Sequence, residues 1–264
     1  MDWESGIMAP RMRKLGISVL AAAALASCRS DEPIEPAVPS SSDPVLRITV
    51  DPRWNGQPMH TFTEYRVPGD YRFQVEMLKF YLSDLRLVGD DGEHAVSTVQ
   101  LIDLDHGPYT FDLKPPAGRW YGLRAGLGLP HDLNYTDPVL YGNDHPMSVN
   151  TGMYWTWATG YKFVLFDGRF NPDPASTGAL VNPFSVHTGM DTCYTPVELF
   201  PALPFRTRAD SIARLTLRID VDGFLQSGSD TIHVVTENQS HGTNYALALK
   251  LTRCVKRSLH AVQP

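Results

Sequence analysis

The chain has 264 residues, a formal net charge of −6 and three cysteines. An acidic balance excludes nucleic acid as a partner, because nucleic-acid binding needs a basic footprint. It also disfavours direct binding to an anionic lipid surface. Beyond its N-terminal segment no stretch is both apolar enough and long enough to cross a bilayer as a helix.

Arg11, Arg13 and Lys14 form a basic region, and Leu15 to Ala24 form a short apolar run. That arrangement reads as an export signal rather than as structure. It ends in Leu25-Ala26-Ser27-Cys28. Small residues directly before a cysteine resemble the cleavage box of bacterial lipoproteins. The resemblance implies removal of residues 1–27, a lipid on Cys28, and a location in the cell envelope facing the periplasm or the cell surface. Arg29 after the cysteine favours the outer membrane. The lipid would be the only membrane attachment. A plain secretory signal is the alternative, since it shares the basic and apolar regions.

Residues 28–44 are rich in Ser, Pro and acids. They cannot bury enough surface to offset the entropy of ordering them, so they read as a flexible tether. One folded domain is expected over residues 45–257, followed by a tail at 258–264. Val45 to Val50 reads as its first strand. In Tyr71 to Val88 the apolar phase slips more than once, which predicts β-bulges or a break between two strands. Gly122, Gly126 and Gly128 mark bends or close backbone approach between Trp120 and Leu129. Pro130 to Asn150, Asn171 to Asn182 and Thr195 to Thr207 read as surface loops.

Gly152 to Phe163 carries Met153, Trp155 and Trp157 at alternate positions. Strand geometry places those three side chains on one face. Tyr161, Phe163 and Leu165 alternate with Lys162, Val164 and Phe166, which predicts a strand covered on both faces. Leu215, Leu217, Ile219 and Val221 alternate with polar residues and predict a half-wet antiparallel strand. Thr231 to Thr236 is a further β-branched run. Asn244 to Leu259 has leucines at strand spacing, but its Ala, Leu, Lys and Arg content and a cap at Thr243 or Asn244 favour a helix. The fold class is therefore all-β: an antiparallel, Greek-key-like β-sandwich with long loops and a short C-terminal helix.

With Cys28 lipidated, Cys193 and Cys254 remain. An even pair in an oxidising compartment favours a disulfide, closing a loop of about 60 residues. Two separate buried thiols, or a cysteine at a metal site, are the alternatives.

Signatures of hydrolases and nucleotide-binding loops are absent: there is no Gly-x-Ser-x-Gly, no His-Glu-x-x-His and no Walker loop. That points away from an enzyme. No two of the nine histidines form a His-x-His or His-x3-His pair, so any metal site must be assembled from distant segments. His187, in Phe184-Ser185-Val186-His187-Thr188-Gly189, follows the Trp-rich segment. By itself such a histidine is most often a hydrogen-bonded core residue. His241 reads as a loop residue.

Five segments together resemble the MbnP-like copper-binding family. They are Lys79-Phe80-Tyr81-Leu82-Ser83-Asp84-Leu85-Arg86-Leu87; Pro116-Ala117-Gly118-Arg119-Trp120-Tyr121-Gly122-Leu123; Gly126-Leu127-Gly128 with Asn134 beyond it; Met153-Tyr154-Trp155-Thr156-Trp157-Ala158-Thr159-Gly160-Tyr161-Lys162-Phe163; and the His187 segment. Their order is that of the family. The resemblance implies copper, as Cu(I), and a tryptophan oxidised to kynurenine by a partner di-haem enzyme of the MauG-like type. It makes Trp155 or Trp157 the modified residue and His187 a ligand, with Met153 and His241 as further candidates. The competing reading is a metal-free interaction module of the cell envelope, whose Asn-, Asp- and Tyr-rich loops would capture a ligand. On that reading the tryptophans are only an aromatic core.

Overall fold

A computed structural model describes residues 43–262 except 69, 157, 226–229 and 241–243. The expected export signal, Cys28 and nearly all of the expected tether lie outside the described residues. So do Trp157 and His241.

The elements in chain order are β1 (Val45–Trp54), β2 (Gln57–Pro58), β3 (Tyr65–Val67), β4 (Tyr71–Gly89), β5 (Gly92–Asp103), β6 (Tyr109–Leu113), β7 (Gly118–Leu127), α1 (His131–Asn134), β8 (Tyr154–Thr156), β9 (Gly160–Asn171), β10 (Asn182–Gly189), β11 (Thr195–Leu199), β12 (Phe205–Thr207), β13 (Ile212–Asp220), α2 (Asp222–Leu225), α3 (Tyr245–Ser258) and β14 (Leu259–Val262). They form two sheets. The smaller runs β14-β13-β1-β2, with β6 also on β1. The larger has nine strands along β10-β9-β4-β7-β11, with β3 and β5 also on β4, β8 on β9 and β12 on β7. The result is an all-β sandwich with a short C-terminal helix.

The long strand β4 organises the larger sheet, because β9 and β7 pair with successive halves of it. Its phase slips are bulges within one continuous strand. The register shifts between Val75 and Met77 and again between Ser83 and Arg86. At the second shift Asp84 takes a positive φ of 46°, the kink that lets the strand turn its other face inward.

Strict alternation in β1 and β13 sends Leu46, Ile48 and Val50, with Leu215, Leu217 and Ile219, into the space between the sheets. There they meet Phe73, Phe80 and Leu82 of β4 and Phe166 of β9. Each such side chain contributes about 1.5–3 kcal/mol by leaving water. A second cluster lies on the opposite face of the larger sheet. It contains Tyr81 of β4, Tyr161, Phe163 and Leu165 of β9, and Met147 and Met153 from the loops above. Because β9 feeds both clusters, it is buried on its two faces, as the apolar residues on both phases of its alternation predict.

Several expectations are corrected. The β13 strand pairs in parallel with β1 over Val45↔Ile212 to Arg53↔Asp220, and antiparallel only with the short β14. Residues 195–207 are not simply a loop, since β11 and β12 pair with the outer side of β7. Leu259 to Val262, expected in a tail, form the edge strand β14. Residues 231–236 are not a strand. Ile232 and Val234 are fully buried, but the backbone turns, with Thr236 N–H and Glu237 N–H both donating to His233 O. Burial, not strand pairing, accounts for the apolar residues there.

No disulfide joins Cys193 and Cys254; both are free and buried. The Cys193 thiol packs against Gly189 and Thr252 of α3, whereas the Cys254 thiol donates to Asp230 O at 2.7 Å. Residues 252 and 254 are two positions apart on a helix, about 200° around its axis, so the two sulfurs lie on different sides of α3. Burial pushes both thiols above their ordinary range.

Candidate functional site

In the β9–β10 pair Ser185 lies opposite Asp167, His187 opposite Leu165 and Gly189 opposite Lys162. Residues two apart on neighbouring strands share a face. Ser185, His187 and Asp167 therefore join Leu165 on the outer side of the larger sheet. His187 is 6% exposed. Its Nε2 is 2.8 Å from Asp167 Oδ1 and 3.2 Å from Ser185 Oγ. A carboxylate only accepts, so Nε2 carries the hydrogen. Both partners share one ring nitrogen. A catalytic triad needs its carboxylate and its nucleophile on different nitrogens, and this arrangement is not one.

The His187 backbone is held as firmly as its ring. His187 N–H donates to Ser240 Oγ at 2.7 Å, and Ser240 Oγ–H donates to His187 O at 2.8 Å. Ser185 N–H donates to Asn238 O, and Ser240 N–H to Ser185 O. Residues 238–240 thus lie along the edge of β10, with Gln239 in a parallel bridge to Ser185.

Trp155 comes from β8, a three-residue strand on β9 whose register breaks between Tyr154↔Tyr161 and Thr156↔Gly160. The break is fixed by α1. Gly160 has φ +68°, and a Cβ there would sit 2.3 Å from Asn134 O. The fully buried Asn134 accepts from Tyr161 N–H at 2.9 Å. Held in this way, the Trp155 ring stands edge-on to His187, with centroids 6.0 Å apart and planes at 80°.

Trp155 and His187 both line a cavity of about 200 Å³, together with Thr156, Met190, Ser240 and Tyr245, among others. Met190 has φ 68° and ψ 153°, a backbone region essentially restricted to glycine that costs about 1–3 kcal/mol for another residue. A larger open groove of about 560 Å³, lined by residues including Asp84, Ser97, Asp132 and Tyr194, offers neither imidazole nor sulfur.

Of the residues singled out in the sequence, His187 and Trp155 come together. Met153 does not join them. It is fully buried in the outer cluster and does not line the cavity, because it precedes β8 and packs under the 146–152 segment as core. Trp157 and His241 lie outside the described residues; His241 follows Ser240 in the chain. Among the described residues no three His, Cys, Asp or Glu side chains converge in a way that could hold a metal ion. Sequence reasoning missed Asp167, Ser185, Ser240, Met190 and Tyr245. Asp167 left a signal: it continues the phase of Tyr161, Phe163 and Leu165, an acid at the end of a buried alternation.

The fold and site together define a β-sandwich protein that carries a histidine–tryptophan cavity on the outer face of its larger sheet. The sequence profile of the MbnP family matches residues 43–244, and the chain belongs to that family. Among solved structures it is similar to MbnP from Methylosinus trichosporium at 13% identity, over 71% of this chain and 82% of that one, with a TM-score of 0.46. No curated protein matches it.

Proposed function

We propose that this protein is a lipid-anchored copper-binding protein of the cell envelope that holds Cu(I) beside His187 and carries out no turnover of its own. The observation that carries the reading is the meeting of Trp155 and His187 on one cavity, with centroids 6.0 Å apart, although some thirty positions separate them in the chain. The donor chemistry fits a soft monovalent ion. The cavity wall offers an imidazole, an indole, hydroxyls and a thioether. Asp167, the carboxylate beside the ring, is engaged by His187 Nε2. A carboxylate behind a ligating histidine fixes its tautomer and raises its basicity. His187 would hold the ion through its imidazole. His241, next to the anchored Ser240, is the candidate second imidazole.

The tryptophan is the second half of the proposal. Two equivalents of peroxide, used by the partner enzyme, would cleave the indole C2–C3 bond to N-formylkynurenine with release of two waters, and hydrolysis would then expel C2 as formate and leave the aromatic amine of kynurenine. That amine adds a nitrogen donor where the indole had none. Trp155 is half-buried on a marginal strand, so a partner di-haem enzyme of the MauG-like type could reach it. Trp157 stays the alternative target. No helix among the described residues is long and apolar enough to cross a membrane, and attachment through lipid on Cys28 is part of the same proposal.

The test is copper content and intact mass of the protein produced with and without a di-haem partner. Wild type is expected to retain copper. His187→Ala should lose it, and Asp167→Asn should weaken it by about 10–100-fold, the usual cost of removing a partner behind a ligand. Equal copper in wild type and His187→Ala would remove the metal role. A second reading, capture of a protein or peptide, is favoured by one observation: Val139, Leu140 and Val149 are 77%, 73% and 58% exposed on the segment above the outer cluster. Partner binding that disappears on Leu140→Ser without any need for copper would support it.

A further inference from the structure

We infer that Met190 is a thioether ligand of the His187–Trp155 cavity and makes it selective for a soft monovalent metal, an inference that rests on the copper reading above. Met190 lines the cavity with His187 and Trp155. It stands directly after Gly189, the last residue of β10, and two residues beyond that strand's register shift. The chain therefore already has a glycine at the corner. Yet the glycine-only backbone conformation falls one residue later, on Met190, with φ 68°. Packing gives no reason for methionine to hold that position, because the residue is 40% exposed and a glycine would remove the strain. A strained, part-exposed side chain on a cavity wall is the pattern of a group retained for what it touches.

The remaining wall fits this assignment. Thr156, Thr159, Ser240, Tyr245 and Ala248 bring no charge. Neutral nitrogen and sulfur donors without a carboxylate disfavour hard divalent ions and suit Cu(I). The other sulfur nearby, Cys193, is buried beneath the corner. Its thiol faces the Gly189 backbone and Thr252, and it does not line the cavity. The thioether that lines the cavity is that of Met190.

The experiment uses the full chain loaded anaerobically with Cu(I), titrated against a chromophoric Cu(I) chelator and examined by copper-edge X-ray absorption. Wild type is expected to show a sulfur scatterer. Met190→Leu keeps the side-chain bulk, loses that scatterer and binds Cu(I) about tenfold more weakly or worse, with Zn(II) binding unchanged. Met190→Gly shows the same loss of Cu(I) affinity together with a higher melting temperature, which separates the ligand role from a structural one. A wild-type spectrum with nitrogen scatterers only, and equal Cu(I) affinity in Met190→Leu, overturns the role of Met190 and leaves the copper reading standing. A wild type that takes up no Cu(I) overturns both.

Discussion

The two apolar clusters on either side of the nine-stranded sheet are built on different terms. The inner one lies between sheets and is filled mainly by strand alternation, closed by α2 and α3, with Phe166 edge-on to Phe224 and tilted against Phe184. The outer one has only one sheet beneath it. Its roof is made of loops and one side of α3, and it is rich in tyrosine and methionine. Loops bring backbone carbonyls with them, and these need donors. Tyr81 Oη–H donates to Pro146 O at 2.9 Å, and Tyr161 Oη–H to Met147 O at 3.0 Å. Burial pushes the Tyr161 phenol up to about 12, so it remains a donor at any ordinary pH. The inner cluster makes the fold, and the outer one holds a roof in place beside a cavity.

The difference can be broken at three strengths. Phe166→Ala, at a fully buried position of the inner cluster, should cost about 3–5 kcal/mol in denaturant unfolding. A loss near 1 kcal/mol would mean that the inner cluster is not the main source of stability. Tyr161→Phe removes one donor and leaves Met147 O unpaired by it, at a cost of about 1–3 kcal/mol. Hydrogen exchange should then quicken at residues 146–153 while β1 and β13 stay protected. Uniform quickening would show that roof and sandwich unfold as one unit. The smallest effect concerns the thiols. A reductant should leave the melting temperature unchanged, and denatured protein should take up alkylating agent at both Cys193 and Cys254 without prior reduction. A shift with reductant would restore the disulfide.

What was legible in the sequence follows from the same contrast. Strand β9 could be read because each of its faces has its own cluster, leaving apolar residues on both phases from Phe163 to Phe166. The bulges of β4 could be read because a phase slip is written in the residues themselves. Helix α3 could be read from its composition and from Asn244, whose side chain accepts from Leu247 N–H at its N-terminus. Elements defined by a neighbour were not legible. β11 and β12 exist because β7 has a free edge, and their own residues, Pro196 included, look like loop. Thr231 to Thr236 has the composition of a strand but no strand beside it. The candidate site divides in the same way. His187 and Trp155 sit in recognisable segments, while Asp167 and Ser185 matter only through the β9–β10 register. Ser240 matters only because residues 238–240 return to the edge of β10. Met190 carries no pattern at all, since its interest lies in a backbone angle.

The parallel pairing of β1 with β13 has a consequence for how the chain is made. Residue 45 must wait for residue 212, so the smaller sheet cannot close until most of the polypeptide has been delivered. Pairings this distant along the chain close late and slow folding. The two central strands of the smaller sheet therefore come from opposite ends of the domain, and removing either one would leave the other with an open edge.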